Sequence, residues 1–473
     1  MSRTKDNKHL SIKVILFILI ALLVSTGSYL GITAAVRKSQ FAKITTAENC
    51  TLDEEAALNI KMKLAYPTRF TTLSPLPYNL SENPISLLCE SAILIDVGTG
   101  NIIYEKNPDE IIPPASMTKL FVLYIVDEEV AAGNLSYDQI IPLPEESWAC
   151  NAPPHSSLMF LGEGQIVTLE EILLGLSICS GNDAAYALAY TISGSMENFV
   201  AKMNNVAAEL GLENTSFVEC SGYSEENKTT AREMAKFCRV YLTKHPESLQ
   251  KFHSVRSFTY PKAHNMAPGD TYGPQDFSNG FPAHITMGIT QPNTNPMLDY
   301  PGCDGLKTGY IEESGYNLSL TAQREGTRFL SVTMKGPGEN PREGQQGRII
   351  DGTTLMNYAF NNFADIEIDT TEFEQTVKVY GAETKAIKLV PAFEVSKLCI
   401  PFVAGKTKNE NLEKITIEKE YPESLFGEIT QGQSLGAIRI KLNNYILDTI
   451  PLVADRNVTQ ANSIIQFIDN LIR

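Results

Sequence analysis

The longest apolar stretch of the chain runs without a charge from Val14 to Val36, between Lys13 and Arg37. It meets the roughly 20 residues that a bilayer-spanning helix requires. Arg3, Lys5, Lys8 and Lys13 lie on its N-terminal side, which predicts an anchor with its start in the cytoplasm and the remainder exported. Ser25, Thr26, Gly27 and Ser28 dilute its middle, so a long signal peptide ending near Ala34-Ala35 is the other reading. No later run is long and apolar enough to span.

Beyond it the periodicity changes several times. Residues 38–84 mix short helical patterns with a Pro-containing stretch, "TTLSPLPYNLSENP", and read as a spacer or as a helical extension packed on the main body. "SAILIDVGTGNIIYEKN" places two apolar runs around Gly98-Thr99-Gly100, the pattern of a hairpin. Pro113 and Pro114 lead into a run, Met117–Val126, that is apolar on most sides and stops at Gly133. This predicts a buried central helix with Ser116 in its first turn. Residues 168–192 read as two helices broken at "CSGND", with Thr168 as N-cap. Helices are expected near Met196–Leu210, Thr230–Leu242 and Gly352–Phe360, with strands at "FTY", "YNLSLTAQ" and "TRFLSVTMKG". From about residue 364 short strand-type runs follow one another without helices, which predicts a small all-β domain. The end, "NSIIQFIDNLIR", puts Ile464, Ile465, Phe467, Ile468, Leu471 and Ile472 on one helical face. It reads as a cap on the β domain, with a weak interfacial membrane contact as the sharper alternative.

Composition narrows the class. A formal charge of -16 without a dense Lys/Arg cluster argues against nucleic-acid binding. Export would permit disulfides among Cys50, Cys89, Cys150, Cys179, Cys220, Cys238, Cys303 and Cys399, but buried thiols are an equal reading. The six histidines show no metal-ligand spacing, so no metal and no cofactor are expected.

Three short elements carry chemistry when taken in order: Ser116-Met117-Thr118-Lys119, Ser180-Gly181-Asn182 and Lys307-Thr308-Gly309. Each alone is weak. Ser-x-x-Lys recurs at Ser2–Lys5 and Ser248–Lys251, and Ser-x-Asn at Ser81–Asn83. A serine hydroxyl needs a base to become a nucleophile. Residues three apart share a helix face, so Lys119 can reach the Ser116 oxygen. A lysine acts as base only when burial or neighbouring cations such as Lys307 depress its pKa. The helix start offers partial positive charge to an oxyanion. Ser180 can relay a proton, Asn182 can hold Lys119 and a substrate amide, and Lys307 with Thr308 can bind a carboxylate.

On these motifs, and on "IDVGTGNIIYEKN", "SSLMFLGEG", "LGLENTSF" and "YPGCDGLKTGYIEESGYNLSLTA", the chain resembles the D-alanyl-D-alanine carboxypeptidases, the low-molecular-mass penicillin-binding proteins, from about Ser91 to Val453. The resemblance implies an α/β (α+β) domain of penicillin-binding transpeptidase and β-lactamase type, with a five-stranded antiparallel sheet between helices, followed by a small all-β sandwich domain. The expected organisation is then an anchor or signal at 1–37, a spacer or extension at 38–84, a D,D-peptidase domain at 85–362, the β-sandwich at 363–458 and an amphipathic tail at 459–473. It further implies removal of the terminal D-alanine from peptidoglycan stem pentapeptides through an acyl-enzyme on Ser116, and acylation of the same serine by β-lactams. Lys119 is then the base, Ser180 and Asn182 the proton relay and substrate clamp, and Lys307, Thr308 and Gly309 the carboxylate strand. Tyr310 supplies a backbone oxyanion donor. Arg342 assists the carboxylate, with Arg348 the second choice.

Two departures stand out. The Pro/Gly-rich stretch at 262–290 lengthens the gap between the second and third elements, either to shape access or as a surface insertion. Tyr310 stands where some members have histidine. Three competing readings remain at this level: a D,D-endopeptidase or transpeptidase with the same site, a non-catalytic scaffold, and a class A β-lactamase. The last would need Glu-x-x-Leu-Asn, which Glu209, Leu212 and Asn214 only imitate because Glu213 intervenes. His155, Trp148, Cys179 and Asp304 read as loop, packing, buried and turn residues, and the acidic run from Asp127 as a solvated helix end.

Overall fold

The computed structural model describes residues 3–67, 69, 71–80, 85–275, 284–401 and 414–473. Ser2, the Ser81–Asn83 pair, residues 276–283 of the insertion and residues 402–405 of the "KLCIPFVAG" run lie outside the described residues. The chain divides into two compact units, one of Thr68–Ile366 with Lys397–Asn411, the other of Met1–Pro67, Glu367–Ser396 and Leu412–Arg473.

The N-terminal run forms one helix, α1 (Arg3–Ala42), most of whose apolar side chains from Ile12 to Val36 are exposed. Residues Ile12–Ala42 are long and apolar enough to cross a membrane. A second helix, α2 (Leu52–Ala65), starts at a capping box in which Thr51 and Glu54 satisfy each other's backbone N–H.

The first unit contains β1 (Ser74–Pro75), β2 (Ser91–Asp96), β3 (Asn101–Lys106), β4 (Ser257–Tyr260), β5 (Ile289–Pro292), β6 (Cys303–Ile311), β7 (Gly315–Arg324) and β8 (Thr327–Gly336). The main sheet has the order β1-β3-β2-β8-β7-β6, and β4 pairs with β5 apart from it. Five of the six strands are antiparallel neighbours, as the resemblance implies. The sixth, β1, adds a parallel edge through Ser74 and Pro75, residues expected to be spacer.

Around this sheet stand α3 (Lys119–Ala131), α4 (Leu169–Ile178), α5 (Asn182–Ser193), α6 (Met196–Glu209), α7 (Ala231–Lys244) and α8 (Pro341–Asn362). Helix α7 packs on β2 and β8, and α8 packs on β7 and β8. Strand β2 is buried along its whole length, which explains its unbroken "AILI". Thr168 caps α4 through a capping box with Glu171. Helix α8 begins eleven residues before the expected Gly352, because Asn340 caps it and Pro341 takes its first turn. The glycines of "REGQQG" hide this start from periodicity.

The acidic run from Asp127 is not all solvated. Asp127 is buried and accepts a hydrogen bond from Tyr241 Oη at 3.0 Å. The eight cysteines are free, five of them buried.

The second unit holds β10 (Gln375–Tyr380), β11 (Ala386–Pro391), β13 (Ile415–Glu420), β14 (Ser424–Phe426), β15 (Ser434–Leu442) and β16 (Tyr445–Ala454), while β9 (Phe363–Asp369) and β12 (Val395–Pro401) run from one unit into the other, with Phe363–Ile366 and Lys397–Pro401 in the first. Its sheet has the order β13-β15-β16-β11-β10-β14, and β9 and β12 form a separate two-stranded pair. Helix α2 buries Leu58 and Met62 against Ala392 and Val453 of this unit. Within the 38–84 segment, α2 is thus packed on the β unit. The last helix, α9 (Ser463–Ile472), buries Ile468 and Asp469. The Asp469 carboxylate pairs with Arg37 of α1 and accepts the Gly381 N–H at 2.8 Å. Ile464, Phe467 and Leu471 remain exposed.

The β2–β3 turn is fastened from below. Arg239 of α7 is buried and donates to Val97 O at 2.9 Å, Thr72 O at 3.0 Å and Gly98 O at 3.2 Å. Gly100, at a φ of 79°, leaves the room that the guanidinium fills. Arg239→Met removes the donor of all three carbonyls and is expected to cost on the order of 3 kcal/mol, read from the urea unfolding midpoint.

Candidate active site

Ser116 lies in a 3-10 turn, Ala115–Thr118, that runs directly into α3. The α-helix proper starts at Lys119, one turn later than the pattern suggests. A 3-10 turn eclipses residues three apart, which serves this pair better than an α-turn. Lys119 Nζ lies 3.0 Å from Ser116 Oγ, 2.7 Å from Asn182 Oδ1 and 2.6 Å from Ser221 O. It is fully buried, and burial lowers its pKa to about 8. Glu219 leads the groups that oppose that shift, with Asp183 behind it.

Two backbones press on the serine turn. Gly309 of β6 has no room for a side chain, since a Cβ would come 2.5 Å from Pro114 O. Gly222, at a φ of 80°, lies closer still, and a Cβ there would overlap Ala115 O. Ala115 itself has a φ of 49°, a conformation that only firm surroundings hold in a residue with a Cβ.

The second element forms the break between α4 and α5. Ser180, also at positive φ, accepts from Lys307 Nζ at 2.8 Å. Asn182 opens α5 and donates through Nδ2 to Ser156 Oγ at 3.1 Å. Next to it Asp183 is buried and collects the N–H groups of Met159, Phe160, Leu161 and Ala184 within 3.0 Å. Burial pushes its carboxyl up, and those four donors pull it back.

The third element lies on β6. Lys307 is fully buried, and burial, Lys119 and Arg348 together push its pKa well down. Thr308 Oγ1 donates to Thr294 Oγ1 at 3.0 Å. Tyr310 is half exposed and stacks on Tyr316 at 4.4 Å.

Ser116, Lys119, Ser180, Asn182, Lys307, Thr308, Gly309 and Tyr310 thus belong to one connected neighbourhood. Arg342 does not join them. It sits on the exposed first turn of α8, where its N–H caps onto Asn340. Arg348, two turns further on, points under β6 instead. It donates to Gly309 O at 2.5 Å and Asn317 O at 3.0 Å and lies over the Tyr316 ring. Of the two arginines, Arg348 is the one that touches β6. Ser156, Ser221 and Thr294 also belong to the site. Only Ser156 sat in a quoted motif, and Ser221 contributes a main-chain oxygen that residue type does not reveal. The lactamase imitation is absent as a site: Glu209 is exposed and Asn214 bonds Glu233 at 3.1 Å.

A lysine-activated serine on a helix start, beside a second buried lysine on a strand edge, defines a serine hydrolase of the penicillin-binding class. Residues 79–338 match the D-alanyl-D-alanine carboxypeptidase family and residues 368–460 match the C-terminal domain of penicillin-binding protein 5. The chain belongs to the D-alanyl-D-alanine carboxypeptidase family. It is 30% identical to the D-alanyl-D-alanine carboxypeptidase DacF of Bacillus subtilis, over 79% of this chain and 87% of that protein. It is 29% identical to DacC of Escherichia coli, over 78% and 84% respectively. The structure of penicillin binding protein 5 from Haemophilus influenzae superposes with a TM-score of 0.67 at 27% identity, covering 80% of this chain and all of that one.

Asp183→Ala leaves the N–H groups of 159–161 without their acceptor. It is expected to lower the melting temperature and to slow acylation of the serine at least about tenfold, measured by penicillin labelling, because Asn182 and the Ser156 loop lose their alignment.

Proposed function

We propose that the chain removes the terminal D-alanine of peptidoglycan stem peptides through an acyl-enzyme on Ser116. The observation that carries this reading is the 3.0 Å contact of Ser116 Oγ with a buried lysine whose pKa is held to about 8. Neutral Lys119 takes the hydroxyl proton as Oγ attacks the carbonyl of the penultimate D-alanine. The developing oxyanion lies at the helix start and against the Tyr310 backbone. The C–N bond then breaks, and the leaving amine takes a proton through Ser180. Water hydrolyses the ester and restores Ser116. Lys307, Thr308 and Arg348 supply the positive and hydroxyl groups for the substrate carboxylate, and Asn182 holds its amide. β-Lactams acylate the same serine. Helix α1 anchors the chain, with the catalytic unit on the cell-wall side of the membrane.

Full-length protein in detergent is expected to release D-alanine from a diacyl-Lys-D-Ala-D-Ala peptide, and Ser116→Ala to abolish release by at least about 10³-fold. A long-lived penicillin adduct without release points to a crosslinked substrate instead. Neither release nor adduct overturns the enzyme reading.

The pH dependence has a definite sign. A base with a depressed pKa is protonated and idle below that pKa and competent above it. Acylation is expected to rise roughly tenfold per pH unit up to about 8 and to level off above. A rate flat from pH 6 to pH 9 would rule out Lys119 as the base.

A further inference from the structure

Behind Lys119 lies a turn that none of the three motifs includes. Glu219 is its centre. The carboxylate accepts from Ser221 N at 2.6 Å, Ser221 Oγ at 2.5 Å, Gly222 N at 2.7 Å and Asn227 Nδ2 at 2.8 Å. Those bonds fold the turn so that Ser221 O points at Lys119 Nζ, and so that Gly222 lies flat on the serine turn. Asn227 Nδ2 also reaches Thr118 Oγ1 at 3.3 Å, which ties the same group to the residue before Lys119.

We propose that Glu219 is a positioning residue that sets the pH at which the Ser116–Lys119 pair works, by fixing Ser221 O on the lysine and by standing behind it as an anion. The inference rests on the acyl-enzyme reading above. The groups facing Lys119 divide clearly. Ser116 and Asn182 are neutral. Cys220, beside Glu219 in the turn, is a buried thiol whose pKa is pushed well up, so it carries no charge. Asp183 on α5 is buried, and its oxygens are engaged by backbone N–H groups. Lys307 on β6 is a buried amine and disfavours a second cation. Glu219 heads the influences that hold the ammonium form of Lys119 against burial. Neutralising it favours the free amine and extends activity toward acid.

The test is the second-order rate of penicillin acylation of the full-length protein in detergent, followed against pH for wild type, Glu219→Gln and Glu219→Asp. In Glu219→Gln the rising limb is expected at lower pH, so that its rate relative to wild type is at least about threefold higher at pH 6 than at pH 9. Glu219→Asp keeps the charge, and its limb is expected at the wild-type pH with a lower plateau. A folded Glu219→Gln protein with an unmoved limb overturns the proposal and leaves Glu219 a purely structural residue. Should Glu219→Gln not fold, Glu219→Asp decides: a limb held at the wild-type pH supports the proposal, and a limb moved toward acid although the charge is kept overturns it. Failure of wild type to be acylated at all would sink the catalytic reading and not this one alone.

Discussion

The structure turns on the burial of one amine. Lys119 has no exposed surface, and an unpaired ammonium in such a place would cost many kcal/mol. Three acceptors from three separate elements relieve that cost: Ser116 Oγ from the 3-10 turn, Asn182 Oδ1 from the start of α5 and Ser221 O from the Glu219 turn. None of those elements can move without stranding the lysine. The relief is partial, and the remainder appears as a pKa lowered to about 8. Packing that looks like stability is therefore also what makes the amine a base near neutral pH.

The second lysine makes the arrangement directional. Lys307 and Arg348 add positive groups on the β6 side, and each is depressed by burial. Three basic nitrogen groups crowd a small region of a chain whose formal charge is -16. Such a region is costly to fill with another cation and favourable for an anion, which suits a substrate that ends in a carboxylate. The glycine at 309 belongs to the same design, because any side chain there would force β6 away from the serine turn and separate the two lysines.

The legibility of this site in the sequence follows from what each part is made of. The three motifs were readable because their chemistry needs particular side chains in a fixed order. The strand hairpin at 91–106 and the break at "CSGND" were readable because glycine and apolar runs mark them. Arg348 is only the second choice in the sequence because α8 begins in a stretch of glycines, and without the helix no face can be assigned to it. Ser221 was invisible because it acts through its carbonyl. Helix α2 does not announce a core helix, because its apolar residues are spread around it and only Leu58 and Met62 are buried against the β unit. Asp127 looked solvated because its partner, Tyr241, is more than a hundred residues away.

That distant partner explains how the two lysines keep their spacing. Helix α3 starts with Lys119 and carries Asp127 two turns later. Tyr241 Oη lies 3.0 Å from Asp127 Oδ2 and 3.2 Å from His253 Nε2, and His253 Nδ1 lies 3.3 Å from Leu306 O, the carbonyl next to Lys307. One helix thereby holds the base at its start and braces the β6 lysine from its middle. The ring in this chain must not add charge to a crowded cationic site. Burial pushes His253 down to about 4, helped by Lys307, so it is neutral throughout the range in which Lys119 titrates. A charged side chain at that position would repel Lys307 from behind, whereas a neutral ring ties β6 down by hydrogen bonding alone.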